Sequence, residues 1–132
     1  MSRLFVESTG HGPPLVLLHG WAMHSGIWGP IVAHLAHRFR VHAVDLPGHG
    51  YSAPVAPCTL DAMAAAVDAA LDAEARPLAV LGWSLGGLVA MRWALARPAT
   101  VRHAPTTARA TPRGSRARAR CCEPEAPGSA AR

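Results

Sequence analysis

The sequence predicts an α/β fold, a mostly parallel sheet flanked by helices, and three observations carry that expectation. Short apolar runs alternate with segments of helical period in the order β, β, α, β, α, β, α, the pattern of a layered α/β sheet. The runs Leu15–Leu18 and Leu78–Leu81 are continuously apolar, as strands covered on both faces are. The second run leads into Gly82-Trp83-Ser84-Leu85-Gly86, and a helical pattern from Leu85 to Ala96 follows at once, stopped by Pro98.

Each element has its own reason. Leu4–Glu7 reads as a short first strand, and Ser8–Pro14, with two glycines and two prolines, reads as a turn. Leu15–Leu18 is the second strand and ends in His19-Gly20-Trp21. Ile27, Trp28, Ile31, Val32 and Leu35 then recur at helical spacing. Val41–Val44 is the next strand, closed by the turn-rich loop Asp45–Ser52. Thr59 is placed to cap a helix, with Asp61 in the first turn where the helix dipole favours an anion. Leu60, Met63, Ala64, Val67 and Leu71 give that helix one apolar face. Trp28 and Trp93 fall on apolar helix faces and are expected in the core.

Composition divides the chain. Its 132 residues suffice for one domain. Residues 1–100 hold six Arg and six acidic residues, whereas residues 101–132 hold seven Arg and two Glu, so the whole net charge of +5 sits in the last quarter. Beyond Val101 there is no large aliphatic and no aromatic, and Pro105, Pro112, Pro124 and Pro127 interrupt any regular element. Residues 1–101 are therefore expected to form the folded part, and 102–132 a disordered Arg/Ala/Pro-rich tail that cannot bury enough apolar surface to order itself. Cys58, Cys121 and Cys122 are an odd count without a C-x-x-C pair, which implies neither a disulfide framework nor a zinc site. No signal peptide and no membrane-spanning run is evident, so the expectation is a cytoplasmic protein. No Walker or dinucleotide fingerprint occurs, so no cofactor is expected.

The chemistry concentrates at Ser84. G-x-S-x-G between a strand and a helix sets a serine hydroxyl on a strained turn beside the positive end of a helix. Gly82 and Gly86 are then required because strand and helix approach too closely for a Cβ. The bland alternative is a Gly-rich turn whose serine caps the helix.

Three motifs in order, His19-Gly20-Trp21, Asp45-Leu46-Pro47-Gly48-His49-Gly50-Tyr51-Ser52 and Gly82-Trp83-Ser84-Leu85-Gly86-Gly87, resemble the N-terminal half of the α/β-hydrolases. Within that family, Leu15–Trp21, the Asp45–Ser52 loop, Asp61 with Met63, and Leu81–Ala90 are most similar to the esterases that cleave pimeloyl-acyl-carrier-protein methyl esters in biotin synthesis. The resemblance covers about residues 4–102. It implies the N-terminal part of an α/β-hydrolase fold, with Ser84 as the catalytic nucleophile. The backbone N–H groups of Leu85 and Trp21 would form the oxyanion hole, and Trp21, Ser84 and Leu85 would meet the substrate, the Trp21 ring walling an acyl pocket. It implies no metal and no cofactor, and an acyl-carrier-protein-linked ester as substrate.

Other residues near these motifs are expected to be structural. Asp45 precedes Ser84, whereas the triad acid of this fold follows the serine, so Asp45 is expected to hold a turn or cap a helix. His19 and His49 also precede Ser84 and are expected to shape loops. After Ser84 the chain offers one histidine, His103, and two acids, Glu123 and Glu125, in the wrong order for a triad. The expectation is a truncated esterase, inactive as written, monomeric if intact and otherwise prone to aggregate through an unpaired sheet edge beyond the strand at 78–81. The abrupt change after Val101 is what a GC-rich gene read out of frame would produce. Two further readings stay open. One is another α/β-hydrolase reaction on the same turn, such as lactone or thioester hydrolysis or acyl transfer. The other is a non-catalytic fragment whose arginines bind a polyanion, although no aromatic is present in the tail to stack on bases, and neither a nucleic-acid nor a membrane partner is expected.

Overall fold

The computed structural model describes residues 3–103. Strands β1 (Val6–Thr9), β2 (Pro14–Leu18), β3 (Arg40–Val44), β4 (Leu78–Gly82) and β5 (Val101–His103) alternate with helices α1 (Gly29–Leu35), α2 (Leu60–Ala70) and α3 (Leu85–Ala96), and a 3-10 turn at Ser25–Trp28 leads into α1. The sheet order is β1-β3-β2-β4-β5. β1 pairs with β3 antiparallel, and every other pair is parallel.

The anticipated elements form where their patterns placed them, with small shifts that have local causes. The first strand begins at Val6 rather than Leu4 because the Phe5 N–H donates to Ser52 Oγ at 2.8 Å instead of to a neighbouring strand. Thr59 caps α2 as expected, its hydroxyl accepting from the Ala62 N–H at 3.1 Å. Asp61 does more than meet the dipole: its carboxylate takes both the Nε and the Nη2 of Arg92, tying α2 to α3.

Two clusters fill the two faces of the sheet. Val16, Leu18, Val44, Leu78 and Val80 point towards α2 and α3, where Met63, Val67, Val89 and Trp93 meet them. Leu17, Val41 and Ala43 point the other way, against Trp28 and the partly buried Val32 and Leu35. Alternation along each buried strand divides its side chains between the two. Trp28 and Trp93 are both core residues, at 3% and 1% exposure. Trp93 also donates its indole N–H to Asp68 at 3.0 Å, and the same carboxylate receives Arg76 and Arg97.

Two expectations need correction. The sheet does not stop at β4: Val101–His103 adds a fifth strand, so Arg102 and His103 belong to the sheet rather than to a tail. The Leu78 N–H donates to Thr100 O at 2.6 Å, and Val101 is buried at 5% exposure. The open edge of β4 captures the chain through main-chain bonds, which depend little on side-chain composition. The remainder of the expected disordered tail, from residue 104 on, lies outside the described residues. Cys58, partly buried against the core, is disulfide-bonded, which the odd cysteine count did not suggest.

This topology creates one crevice. From β2 the chain reaches its neighbour β3 through α1 on one face, and from β3 it passes through α2 on the other face to β4, on the opposite side of β2. Connections leaving in opposite directions open a gap at the carboxyl ends of β2 and β4, the usual ligand position in such sheets.

Candidate active site

That gap is lined by the two sequence motifs that follow β2 and β4. Gly86 stands so close to β2 that a Cβ there would collide with the carbonyl oxygens of Leu18 and His19, and a Cβ on Gly82 would collide with the backbone of Gly86 and Gly87. Both glycines are thus required by close approach. The Trp83 N–H donates to Leu18 O at 2.9 Å, which locks the turn to the end of β2.

Ser84 sits between them with φ 52° and ψ −116°. A side chain rarely adopts this conformation, and it costs on the order of 1–3 kcal/mol. A capping serine would have extended backbone and an engaged hydroxyl. Ser84 has neither: it makes no side-chain capping bond at the start of α3 and is exposed. The bland alternative therefore fails on geometry. Leu85 is the first residue of α3, where backbone N–H groups have no partner within the helix.

The loop leaving β2 lies against the serine. A Cβ on Gly20 would come within 3.5 Å of Ser84 Cβ and of Trp83 O, and Trp21 is the next residue of this loop. The next residue, Ala22, has φ 59°, and Ala22 and Ser84 are the two non-glycine residues with positive φ among the described residues. Strain gathered at one place is a mark of functional sites, and nothing in the residue type of Ala22 announced it. Trp21 is 57% exposed and Trp83 50%, so neither is a core tryptophan. Met23 is exposed as well, and Trp83 meets the buried Trp28 edge-on with ring centroids 6.4 Å apart.

The polar residues near the motifs hold the frame. His19 is fully buried; its Nε2 accepts from the Leu46 N–H at 2.9 Å, so its Nδ1 donates to Gly20 O at 2.7 Å. Burial pushes it below its ordinary value of 6.5 despite the bond to Gly20, and both ring nitrogens are occupied. The ring ties the β2 loop to the β3 loop and has no nitrogen left for proton transfer. His49 packs 5.1 Å from it and bonds Pro47 O through Nδ1. Asp45 accepts from the backbone N–H groups of Ser25 and Tyr51 at 2.6 and 2.9 Å. Burial alone would raise that carboxyl, but the two N–H donors outweigh it and hold it below its ordinary range. Asp45 is thus a turn anchor that also holds the first N–H of the 3-10 turn, whose cap is His24.

The grooves at other places do not include this serine. One of about 740 Å³ runs along α2 between Arg3, Leu4, Val55 and Ala66, and one of about 360 Å³ lies beside Phe5, Glu7, His24 and Tyr51. Among the described residues no group of three or more His, Cys, Asp or Glu is placed to hold a metal ion, and no helix is long and apolar enough to cross a membrane.

Known proteins share this fold. Residues 13–109 match the family described by the alpha/beta hydrolase fold. The chain is 50% identical over 101 residues to the pimeloyl-[acyl-carrier protein] methyl ester esterase of Nitrosomonas europaea, covering 76% of this chain and 39% of that protein. It is 49% identical over 98 residues to the enzyme of the same name from Methylococcus capsulatus, covering 74% of this chain and 37% of that one. Among solved structures, a marine microorganism esterase superposes with a TM-score of 0.73 at 28% identity, over 76% of this chain and 40% of its own. Naproxen esterase from Bacillus subtilis gives 0.67 at 30% identity, over 76% and 37%. The chain thus spans about two fifths of the length of the relatives it matches.

Proposed function

The chain belongs to the alpha/beta hydrolase family, and from that premise we propose that its Ser84 turn is the nucleophile elbow of a serine carboxylesterase acting on a pimeloyl-acyl-carrier-protein methyl ester. The observation that carries the reading is the backbone of Ser84, held at φ 52° in an exposed residue whose side chain makes no helix-capping bond. The likeness to two esterases of that name, at 50% and 49% identity, supports this choice of substrate.

Ser84 Oγ attacks the ester carbonyl, and the N–H groups of Leu85 and Trp21 receive the oxyanion at the mouth of the crevice. The exposed rings of Trp21 and Trp83 flank the apolar pimeloyl chain. Methanol leaves, and water then releases the acyl group. The hydroxyl proton needs a base. His103 is the one histidine after Ser84 in the sequence, and the described residues after Ser84 include no carboxylate. The backbone of His103 pairs with Ala79, five residues short of Ser84 and so about 16 Å away at 3.3 Å per residue. Base and acid therefore lie outside residues 3–103 in this reading.

A fusion tests it. Residues 1–101 of this chain are joined to the corresponding C-terminal portion of the Nitrosomonas europaea esterase, and methanol release from methyl pimeloyl-acyl carrier protein is measured. Turnover that Ser84→Ala lowers by about 10⁴-fold or more is expected, in line with loss of a triad serine. A folded fusion with no turnover, or with turnover that survives Ser84→Ala, overturns the reading.

A further inference from the structure

Away from Ser84, on the β1 edge of the sheet, a second serine meets a histidine and a carboxylate. The β1–β3 register sets Ser8 directly across from His42. Ser8 Oγ lies 2.7 Å from His42 Nδ1, and Glu74, in the connection between α2 and β4, brings Oε2 to 3.2 Å from His42 Nε2. His42 is 1% exposed, whereas Ser8 faces solvent. We propose that Ser8, His42 and Glu74 form a hydroxyl–imidazole–carboxylate relay, which makes Ser8 a nucleophile towards activated carboxylic esters independently of Ser84.

The proton positions follow from the donor inventory. A carboxylate only accepts, so the neutral ring carries its hydrogen on Nε2, towards Glu74. That contact is off the straight N–H···O line, since Nε2 makes no well-aligned hydrogen bond, but it is the ion-pair partner of the ring. Nδ1 is left with its lone pair towards the Ser8 hydroxyl. This is the nucleophile–base–orienter order that activates a hydroxyl, with the two ring nitrogens exchanged relative to the usual triad. The surroundings keep the ring a base. Burial lowers His42, against the opposing effect of Glu74 and together with the repulsion of Arg40. Arg40 Nε is 3.6 Å from Glu74 Oε2 and holds that carboxylate in place. On the other side β2 presents Val16, which carries no charge.

In the reaction, Ser8 Oγ forms a bond to the carbonyl carbon of an aryl ester while the bond to the aryl oxygen breaks. The hydroxyl proton passes to His42 Nδ1 and on to the departing aryl oxide, which leaves as the phenol. The acyl group stays on Ser8 as an ester.

The test uses the 132-residue chain with 4-nitrophenyl acetate and peptide-level mass spectrometry. Ser8 should acetylate at least tenfold faster than in a free peptide of residues 4–12, both in the unmodified chain and in Ser84→Ala. The rate should rise with pH through an inflection below 6.5 and then level off. His42→Gln should return it to the peptide rate, and Glu74→Gln, which keeps the shape of the cluster, should lower it several-fold. Circular dichroism confirms that each variant is folded. Acetylation of Ser8 at the peptide rate, or a rate unchanged in a folded Glu74→Gln with no pH inflection, overturns the proposal.

Discussion

Ser84 stores strain that glycine would not feel. Its φ of 52° is ordinary for glycine and unfavourable for any residue with a Cβ. Ser84→Gly is therefore expected to be more stable than Ser84→Ala by about 1 kcal/mol, although both lose the hydroxyl. Paired urea melts check this; equal stabilities would mean that the turn relaxes once the hydroxyl is gone. The serine and its two glycines were legible in the sequence because one short pattern demands all three. A Cβ on Gly82 or on Gly86 would indeed run into backbone. Ala22 was not legible, because alanine carries no preference for its φ of 59°; only the path of the loop around Ser84 imposes it. Ser8, His42 and Glu74 were not legible either, since strand register and a distant loop bring them together.

Elements follow local rules where local rules are strong. α2 starts at Thr59, whose hydroxyl holds the Ala62 N–H. Thr59→Ala should cost about 1 kcal/mol, the common value for a lost cap, seen as a lower urea midpoint with unchanged slope. No change would mean that the Asp61–Arg92 pair alone holds this end of α2. The apolar periods of α2 and α3 and the runs of β2 and β4 were readable because burial against a sheet imposes them. β5 escaped notice for the opposite reason. Three residues of which only Val101 is apolar make no pattern, and what forms the strand is the unpaired edge of β4 beside it. α3 also keeps Leu88, Met91 and Leu95 exposed at 42%, 44% and 75%. This stripe was hidden in a helix that reads as apolar all round, and it is a liability for association.

The molecule as a whole is expected to weaken in acid through its buried titratable groups. His19 and His42 are lowered mainly by burial, so the unfolded chain takes up their protons more readily. Their stabilising effect is complete above 6.5, the ordinary histidine value, and is lost as the pH falls below it. Asp45, held below its ordinary 3.8, adds stability that is present above that pH and is lost further down. The melting temperature should thus fall between pH 7 and pH 5, before ordinary carboxylates protonate, and again below pH 4. A flat profile from pH 7 to pH 5 would show that the two imidazoles are solvated. The position of β2 has one more consequence. It is the central strand of the sheet, bonded on both sides, with Val16, Leu17 and Leu18 at 0% exposure. In heavy water its amides should be the last to take up deuterium, at a rate that reports unfolding of the entire domain, while those of β5 exchange through local fraying. A clock is thereby built into the chain, in which the strand carrying His19 and Gly20 into the site opens only when everything else has opened.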